Sequence, residues 1–299
     1  MIALTTWNEV QSVAMSSLAL MDNVGTQSHF PLRVTVYKVL AGDLIHVQTP
    51  NQESLLIDCG FHHGKAILED VLGQKCRLDV IVVTHQHLDH FATLASFVSS
   101  SEVRPRIYHS GVSYPPGYTP SVSLSTCPHY GGLEAPLWQQ YSTYIRGTDR
   151  WTVIDGLCGV KVSNLLPSEQ FQVKSDGEYH SLNRSATPVL IEYAGHRIMI
   201  GSDAEADQLI SAIEQNGVTA ALYIASSHGR PTHNDASALQ ALSPTFICLT
   251  DSFEGSDFTE HYRKAVPGVD VRSVNIDGSQ CYSFWSDGRV ERESVGVCG

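Results

Sequence analysis

Five times along this 299-residue chain, a short run of apolar, largely β-branched residues ends at a side chain able to bind a metal or move a proton. The runs are LLIDCG, ending at Asp58; VIVVTHQHLDH, from His85 onward; RIMIGSDA, at Asp203; ALYIASSHG, at His228; and TFICLTDS, at Asp251. Each is too brief for a helix, and apolar character that is continuous rather than alternating marks a strand covered on both faces. Strands that all deliver polar groups at their carboxyl ends gather chemistry along one shared edge, as open α/β sheets do. The recurrence predicts an α/β fold with layers on both sides of the sheet and one chemically loaded rim.

Helical periodicity falls between these runs. DHFATLASFVSS places Phe91, Leu94 and Phe97/Val98 on one face, and AEADQLISAIEQNG carries Leu209, Ile210 and Ile213 before stopping at Asn216-Gly217. HNDASALQALSP offers Asn234 or Asp235 as an N-cap and ends before Pro244. Residues 1–30 read as an N-terminal extension with one helix over Glu9 to Met21. Residues 110–149, rich in Tyr, Pro, Gly and Ser, read as an irregular insertion and a candidate lid. With 42% hydrophobic and 17% charged residues the composition is globular, and residues 1–299 read as a single domain.

Charge narrows the partners. The formal net charge of −12, with no run of Lys or Arg, repels polyphosphate backbones at long range and disfavours long nucleic acid. Seven cysteines, odd in number and without a C-x-x-C pair, fit neither a disulfide framework nor a thiolate zinc site, and point to a reducing, cytoplasmic setting. No Lys or Arg precedes Arg33, so the apolar segment around Ala14 to Met21 lacks the front of a signal peptide. Nothing reaches the roughly 18 apolar residues a membrane span needs, so no membrane partner is expected. Oligomeric state is not legible.

VIVVTHQHLDH carries the densest chemistry, with three histidines and an aspartate among residues 85–90. His85 and His87 alternate by two, so in an extended segment both imidazoles project to one side and reach a cation about 2 Å from each ring nitrogen. Asp89 and His90, where the chain turns into a helix, serve a second cation. A lone histidine pair is usually a surface feature, but H-x-H-x-D-H directly behind a buried strand favours a metal site. His62, His63, His129, His196 and His233 read as surface or structural, and Asp251 as a cap on the turn after its strand.

THQHLDH, with LLIDCG before it and IMIGSDA after it, resembles the signature of the metallo-β-lactamase fold superfamily. VTVYKVLAGDLIHVQTPNQESLLIDCG, LNRSATPVLIEYAGHRIMIGSDA, SSHGRPTHNDASALQALSP and VNIDGSQCYSFWSDGRV resemble, in order, the hydrolase domain of the competence protein ComEC and its stand-alone relatives, over about residues 33 to 292. The resemblance implies an αββα sandwich with a metal site at one edge. It implies His85, His87, Asp89 and His90 as ligands, Asp203 as the carboxylate bridging two divalent ions, and His228 as completing the second site. It implies Asp58 as an acid that orients the ligand loop, and His261 as a substrate contact or proton donor. Three positions depart from the family pattern. Phe91-Ala92 replaces small glycines, Ser227 stands where ComEC-like sequences have the first histidine of HHG, and the third histidine of the first site has no clear equivalent. The segment EYHSLNRSA offers Asn183 there, with His180 and Ser185 close by in sequence.

The expected activity is that of a metal-dependent hydrolase, with Asp89 and His261 in catalytic parts and a small or short phosphodiester as substrate. Two cations beside a shared carboxylate activate water and neutralise developing charge, so no protein nucleophile is required. Zinc is the expected metal, with manganese or iron as alternatives, because imidazole and carboxylate donors suit all three. Hydrolysis of a lactone, lactam or thioester, or a non-enzymatic regulatory part with a degraded site, are the competing expectations. Arg184 and Arg230 are the basic residues best placed by sequence to meet a phosphate, and closure of Tyr114, Tyr118, Trp138 and Tyr141 over the metals would imply stacking of a base or sugar.

Overall fold

The computed structural model describes residues 30–61, 65–73, 77–110, 151–157, 159–166, 182–251 and 258–295. The expected helix over Glu9 to Met21, the insertion beyond Ser110 with its aromatic residues, and His180 lie outside the described residues.

Two seven-stranded sheets face each other. The first contains β1 (Leu32–Val36), β2 (Ile45–Gln48), β3 (Ser54–Ile57), β4 (Val80–Val83), β5 (Arg106–His109), β13 (Ser279–Phe284) and β14 (Val290–Val295), in the order β14-β13-β1-β2-β3-β4-β5. The second runs β12-β11-β10-β9-β8-β7-β6. Its strands are β6 (Val153–Leu157), β7 (Val160–Asn164), β8 (Val189–Tyr193), β9 (His196–Ile200), β10 (Leu222–Ile224), β11 (Phe246–Leu249) and β12 (Asp270–Ser273). β3, β4 and β5 run parallel, as do β9 through β12, while the remaining pairings are antiparallel.

Side-chain alternation explains the continuous apolar runs. Leu55, Ile57, Val80 and Val82 of the first sheet meet Ile198, Ile200, Leu222 and Ile224 of the second in a core between the sheets. Their neighbours point the other way. Leu56, Ile81 and Val83 pack under α1 (Lys65–Leu72), α2 (Leu88–Phe91) and α3 (Leu94–Ser100). Met199, Tyr223 and Ile247 pack under α4 (Ala206–Asn216), α5 (Ala236–Leu242) and α6 (Thr259–Ala265). The layers are therefore helix, sheet, sheet, helix, and each buried leucine-sized side chain contributes about 1.5–3 kcal/mol.

The short helix α7 (Val274–Asp277) follows β12. No helix among the described residues is long and apolar enough to cross a membrane.

The helix expected as one piece over DHFATLASFVSS is two. Thr93 spends its N–H on the Cys59 carbonyl at 3.0 Å and its hydroxyl on the Cys59 and Gly60 carbonyls at 3.0 and 2.9 Å, so the i to i+4 ladder breaks there. Phe91, standing where the family has glycine, is fully buried in the outer core. α4 ends at Gly217 in the left-handed conformation, and Asp235 rather than Asn234 caps α5.

Candidate metal centre

The strand ends bring the polar residues to one rim. Asp58 follows β3, His85 lies two residues past β4, Asp203 three past β9, and His228 four past β10. Backbone curvature aims them inward. Asp58 (φ 59°), Ser202 (φ 51°), Ser227 (φ 49°) and His228 (φ 57°) all adopt the left-handed region that non-glycine residues rarely occupy. Such strain costs of order 1 kcal/mol per residue and collects at functional sites. Close approach needs glycine here: a Cβ on Gly42 would lie 1.6 Å from the Asp89 carbonyl oxygen, and one on Gly201 would lie 2.7 Å from the Ser226 nitrogen.

At the rim, the carboxylate of Asp203 stands between two groups of donors. Its Oδ2 is 3.9 Å from His85 Nε2, and its Oδ1 is 3.5 Å from both His90 Nε2 and His228 Nε2. His85 Nε2 faces His87 Nδ1 at 3.0 Å. Asp89 Oδ2 is 3.3 Å from His228 Nε2, and Asp89 Oδ1 is 3.9 Å from His90 Nε2. Two ligands bound at about 2.0–2.1 Å in a tetrahedral shell sit roughly 3.4 Å apart, so these spacings suit shared ligation. His85, His90 and Asp203 form one group able to hold a metal ion, and Asp89, His90 and His228 another. Among the described residues, buried His90 Nε2 and Asp203 Oδ1 have no hydrogen-bond partner. Buried polar atoms are seldom left that way, and a cation satisfies both.

A buried polar network holds the donors. Asp58 accepts from the Thr84 N–H and hydroxyl, both at 2.7 Å, and contacts His90 Nδ1 at 2.8 Å. The Ser202 hydroxyl donates to Thr84 Oγ1 at 2.6 Å, joining the two sheets. Behind His228, Nδ1 lies 3.1 Å from Asp43 Oδ1 and 3.3 Å from Thr250 Oγ1. Asp43, Thr84, Ser202 and Thr250 are not identifiable from sequence pattern. The one signal for Asp43 is its place just before β2, which runs antiparallel to β3 and so starts at the rim.

Electrostatics separates the imidazoles. Burial disfavours a charged His90, but Asp58, Asp89 and Asp203 outweigh it and hold the ring well above its ordinary pKa. His228 is raised likewise, with Asp203 and Asp43 outweighing burial. Burial also raises Asp58, against the lowering effect of His90 beside it. His85 goes the other way, well below its ordinary value, through burial and the neighbouring His90 and His87; burial lowers His87 too. Burial opposes the Asp203 anion, yet His228 and His90 hold it well below the usual carboxylate range.

Other candidates are placed differently. Asn183 and Ser185 lie on the turn Leu182–Ser185, beside the His85 loop through a Thr187 N–H to Thr84 carbonyl bond of 3.1 Å; Asn183 Oδ1 is buried without a partner among the described residues. Arg184, expected to await a phosphate, is instead committed to Glu205 Oε2 at 2.5 Å and Asp207 Oδ2 at 3.0 Å, because its turn docks on the start of α4. His261 gives its Nε2–H to the Asn234 carbonyl at 2.8 Å. Asn234 in turn pins the Ser226–Gly229 turn through the Ser226 N–H and carbonyl, so the contact His261 makes is a brace. Asp251 accepts from the Ser273 hydroxyl at 2.5 Å at the end of β11.

A family model described as "Metallo-beta-lactamase superfamily" matches residues 44–125, which include the H-x-H-x-D-H loop. The metallo-β-lactamase fold protein YhfI from Bacillus subtilis superposes with a TM-score of 0.50 at 15% identity, over 88% of this chain and 100% of that one. The fold is that of the metallo-β-lactamases. Two further solved structures are similar to this chain. Igni18, described as a novel metallo hydrolase from Ignicoccus hospitalis, has a TM-score of 0.47 at 11% identity over 88% of this chain and 99% of its own. A diphosphatase from the PhnP family has a TM-score of 0.47 at 14% identity over 89% and 99%. A search of the curated proteins gave no match.

Proposed function

We propose that this metallo-β-lactamase-fold protein is a metal-dependent hydrolase that attacks a small or short phosphodiester with activated water. The observation that carries the reading is the Asp203 carboxylate, whose Oδ2 lies nearest His85 and whose Oδ1 lies nearest His90 and His228. In this reading His85, His87 and Asp203 hold one ion, with Asn183 beside them, and Asp89, His90, His228 and Asp203 hold a second. Divalent ions held there, zinc first and manganese or iron as alternatives, supply Lewis acidity and make water a nucleophile near neutral pH.

The chain's own residues do the rest. Asp58 fixes His90 through Nδ1 so that Nε2 faces the rim, and Asp203 sets the spacing of the two halves. Asp89, 3.3 Å from His228 Nε2, would take a proton from the attacking water. The proton-donor part of His261 rests on the motif resemblance that suggested it. The phosphodiester preference is supported by the ComEC-like motifs and by a site with a donor group on each side of Asp203, which suits in-line displacement at phosphorus. The net charge of −12 favours a small substrate over a long polyanion.

The test is metal content after purification, followed by turnover of a bis-aryl phosphate beside a lactone panel. About two equivalents and phosphodiester turnover are expected, and Asp203→Asn should lose at least about 100-fold of that turnover. Lactone turnover without phosphodiester turnover, or a folded protein that takes up no divalent metal, overturns the reading.

A further inference from the structure

Asp43 is fully buried, stands 185 residues from His228 in the chain, and contacts the Nδ1 of that imidazole at 3.1 Å. Its second oxygen, Oδ2, is buried without a partner among the described residues, so the carboxylate is not consumed elsewhere. The side chain is brought in by a loop that only glycine at position 42 allows to approach Asp89, and the Asp43 carbonyl accepts from the Gly60 N–H at 2.9 Å. The backbone that carries the carboxylate is thus held beside the centre.

We propose that Asp43 is a positioning residue for the metal centre: it accepts the Nδ1–H of His228 and thereby turns the lone pair of Nε2 toward Asp89 and Asp203. The inference rests on the metal-hydrolase reading above. The reason a carboxylate is needed is the other neighbour of Nδ1, the Thr250 hydroxyl at 3.3 Å. A hydroxyl both donates and accepts, whereas an ionised carboxylate only accepts. With Thr250 alone, the hydroxyl can donate to Nδ1, which moves the ring proton to Nε2 and blocks ligation. With Asp43 in place only the Nδ1–H form is satisfied. The arrangement parallels Asp58 on His90 at 2.8 Å, so the two imidazoles shared between Asp89 and Asp203 are each backed by a buried acid, one from each strand at the open end of the β2–β3 hairpin.

The experiment compares wild type, Asp43→Asn, Thr250→Val and the double variant, each as full-length protein titrated with zinc against a chromophoric chelator and then with cobalt(II) for its visible spectrum. Asp43→Asn should weaken one of the two metal equivalents by about 10–100-fold and alter the cobalt spectrum. Thr250→Val alone should change little, but on the Asp43→Asn background it should recover part of the loss, which a merely structural part for Asp43 would not produce. Unchanged constants and spectrum in a folded Asp43→Asn protein overturn the proposal, as does a loss that Thr250→Val does not relieve. Should Asp43→Asn fail to fold, 1H–15N spectra of zinc-loaded wild type decide: a slowly exchanging His228 Nδ1–H supports the proposal, and its absence overturns it. A wild-type protein that binds no zinc overturns the metal reading itself, and this inference with it.

Discussion

The two sides of Asp203 are built differently. On one, His90 and His228 each set Nδ1 against a buried carboxylate, Asp58 at 2.8 Å and Asp43 at 3.1 Å, and both rings are held above their ordinary pKa by the acids around them. On the other, the Thr84 hydroxyl lies 3.3 Å behind His85 Nδ1, His85 Nε2 faces His87, and burial lowers the pKa of both rings. The first side spends buried acids to fix ring orientation before any metal arrives. The second offers imidazoles that burial keeps neutral. Preorganisation lowers the cost of binding, so the His90–His228 side should take the tighter ion.

The largest expected effect breaks this comparison directly. His228→Ala should cost the tighter ion at least about 100-fold in affinity, whereas His87→Ala should cost about tenfold and only in the weaker ion. Equal losses, read by competition titration, would remove the asymmetry.

Proton linkage sharpens the same contrast. His90 and His228 are raised, so metal-free protein carries both as cations near neutral pH, and ion uptake must expel those protons. Zinc affinity should therefore climb as pH rises from 6 toward 8, with about two protons released per protein at neutral pH, measured by calorimetry in buffers of differing ionisation enthalpy. The sign for folding is opposite: a raised histidine stabilises the metal-free state below its unfolded pKa of about 6.5, and that contribution fades as pH rises through the folded value. The lowered His85 and His87 oppose it, their burial costing stability as pH falls below about 6.5. Metal uptake that releases no protons would contradict the charge states described.

The smallest effect tests the strained turn. Ser227→Gly relieves a left-handed serine but loosens the unfolded chain, and the two terms, each about 1 kcal/mol, nearly cancel. A urea midpoint close to wild type with unchanged zinc affinity is expected, and a loss beyond about 1 kcal/mol would show that the Ser227 side chain itself holds the His228 turn.

Much of this was legible in the chain because its signals are local. Continuous apolar runs mark strands covered on both faces whichever partner covers them, and a polar residue at a strand end stays there in any sheet. The stop of α4 at Gly217 and the end of α5 before Pro244 are backbone effects and read directly. The break at Thr93 was not legible, since it depends on carbonyls of Cys59 and Gly60 that lie far off in sequence. Arg184 looked available for a phosphate because nothing local shows the two acids of α4 arriving beside it.

The sequence by itself determined the fold class and the identity of the rim donors, because periodicity and residue chemistry are properties of short stretches. Only the tertiary structure decided which donors share a carboxylate, which imidazoles carry a proton, and that Asp43 stands behind His228. Those depend on distances of 3–4 Å between residues up to 185 positions apart, and hydrogen bonds and Coulomb interactions at that range are set by how the sheets face each other.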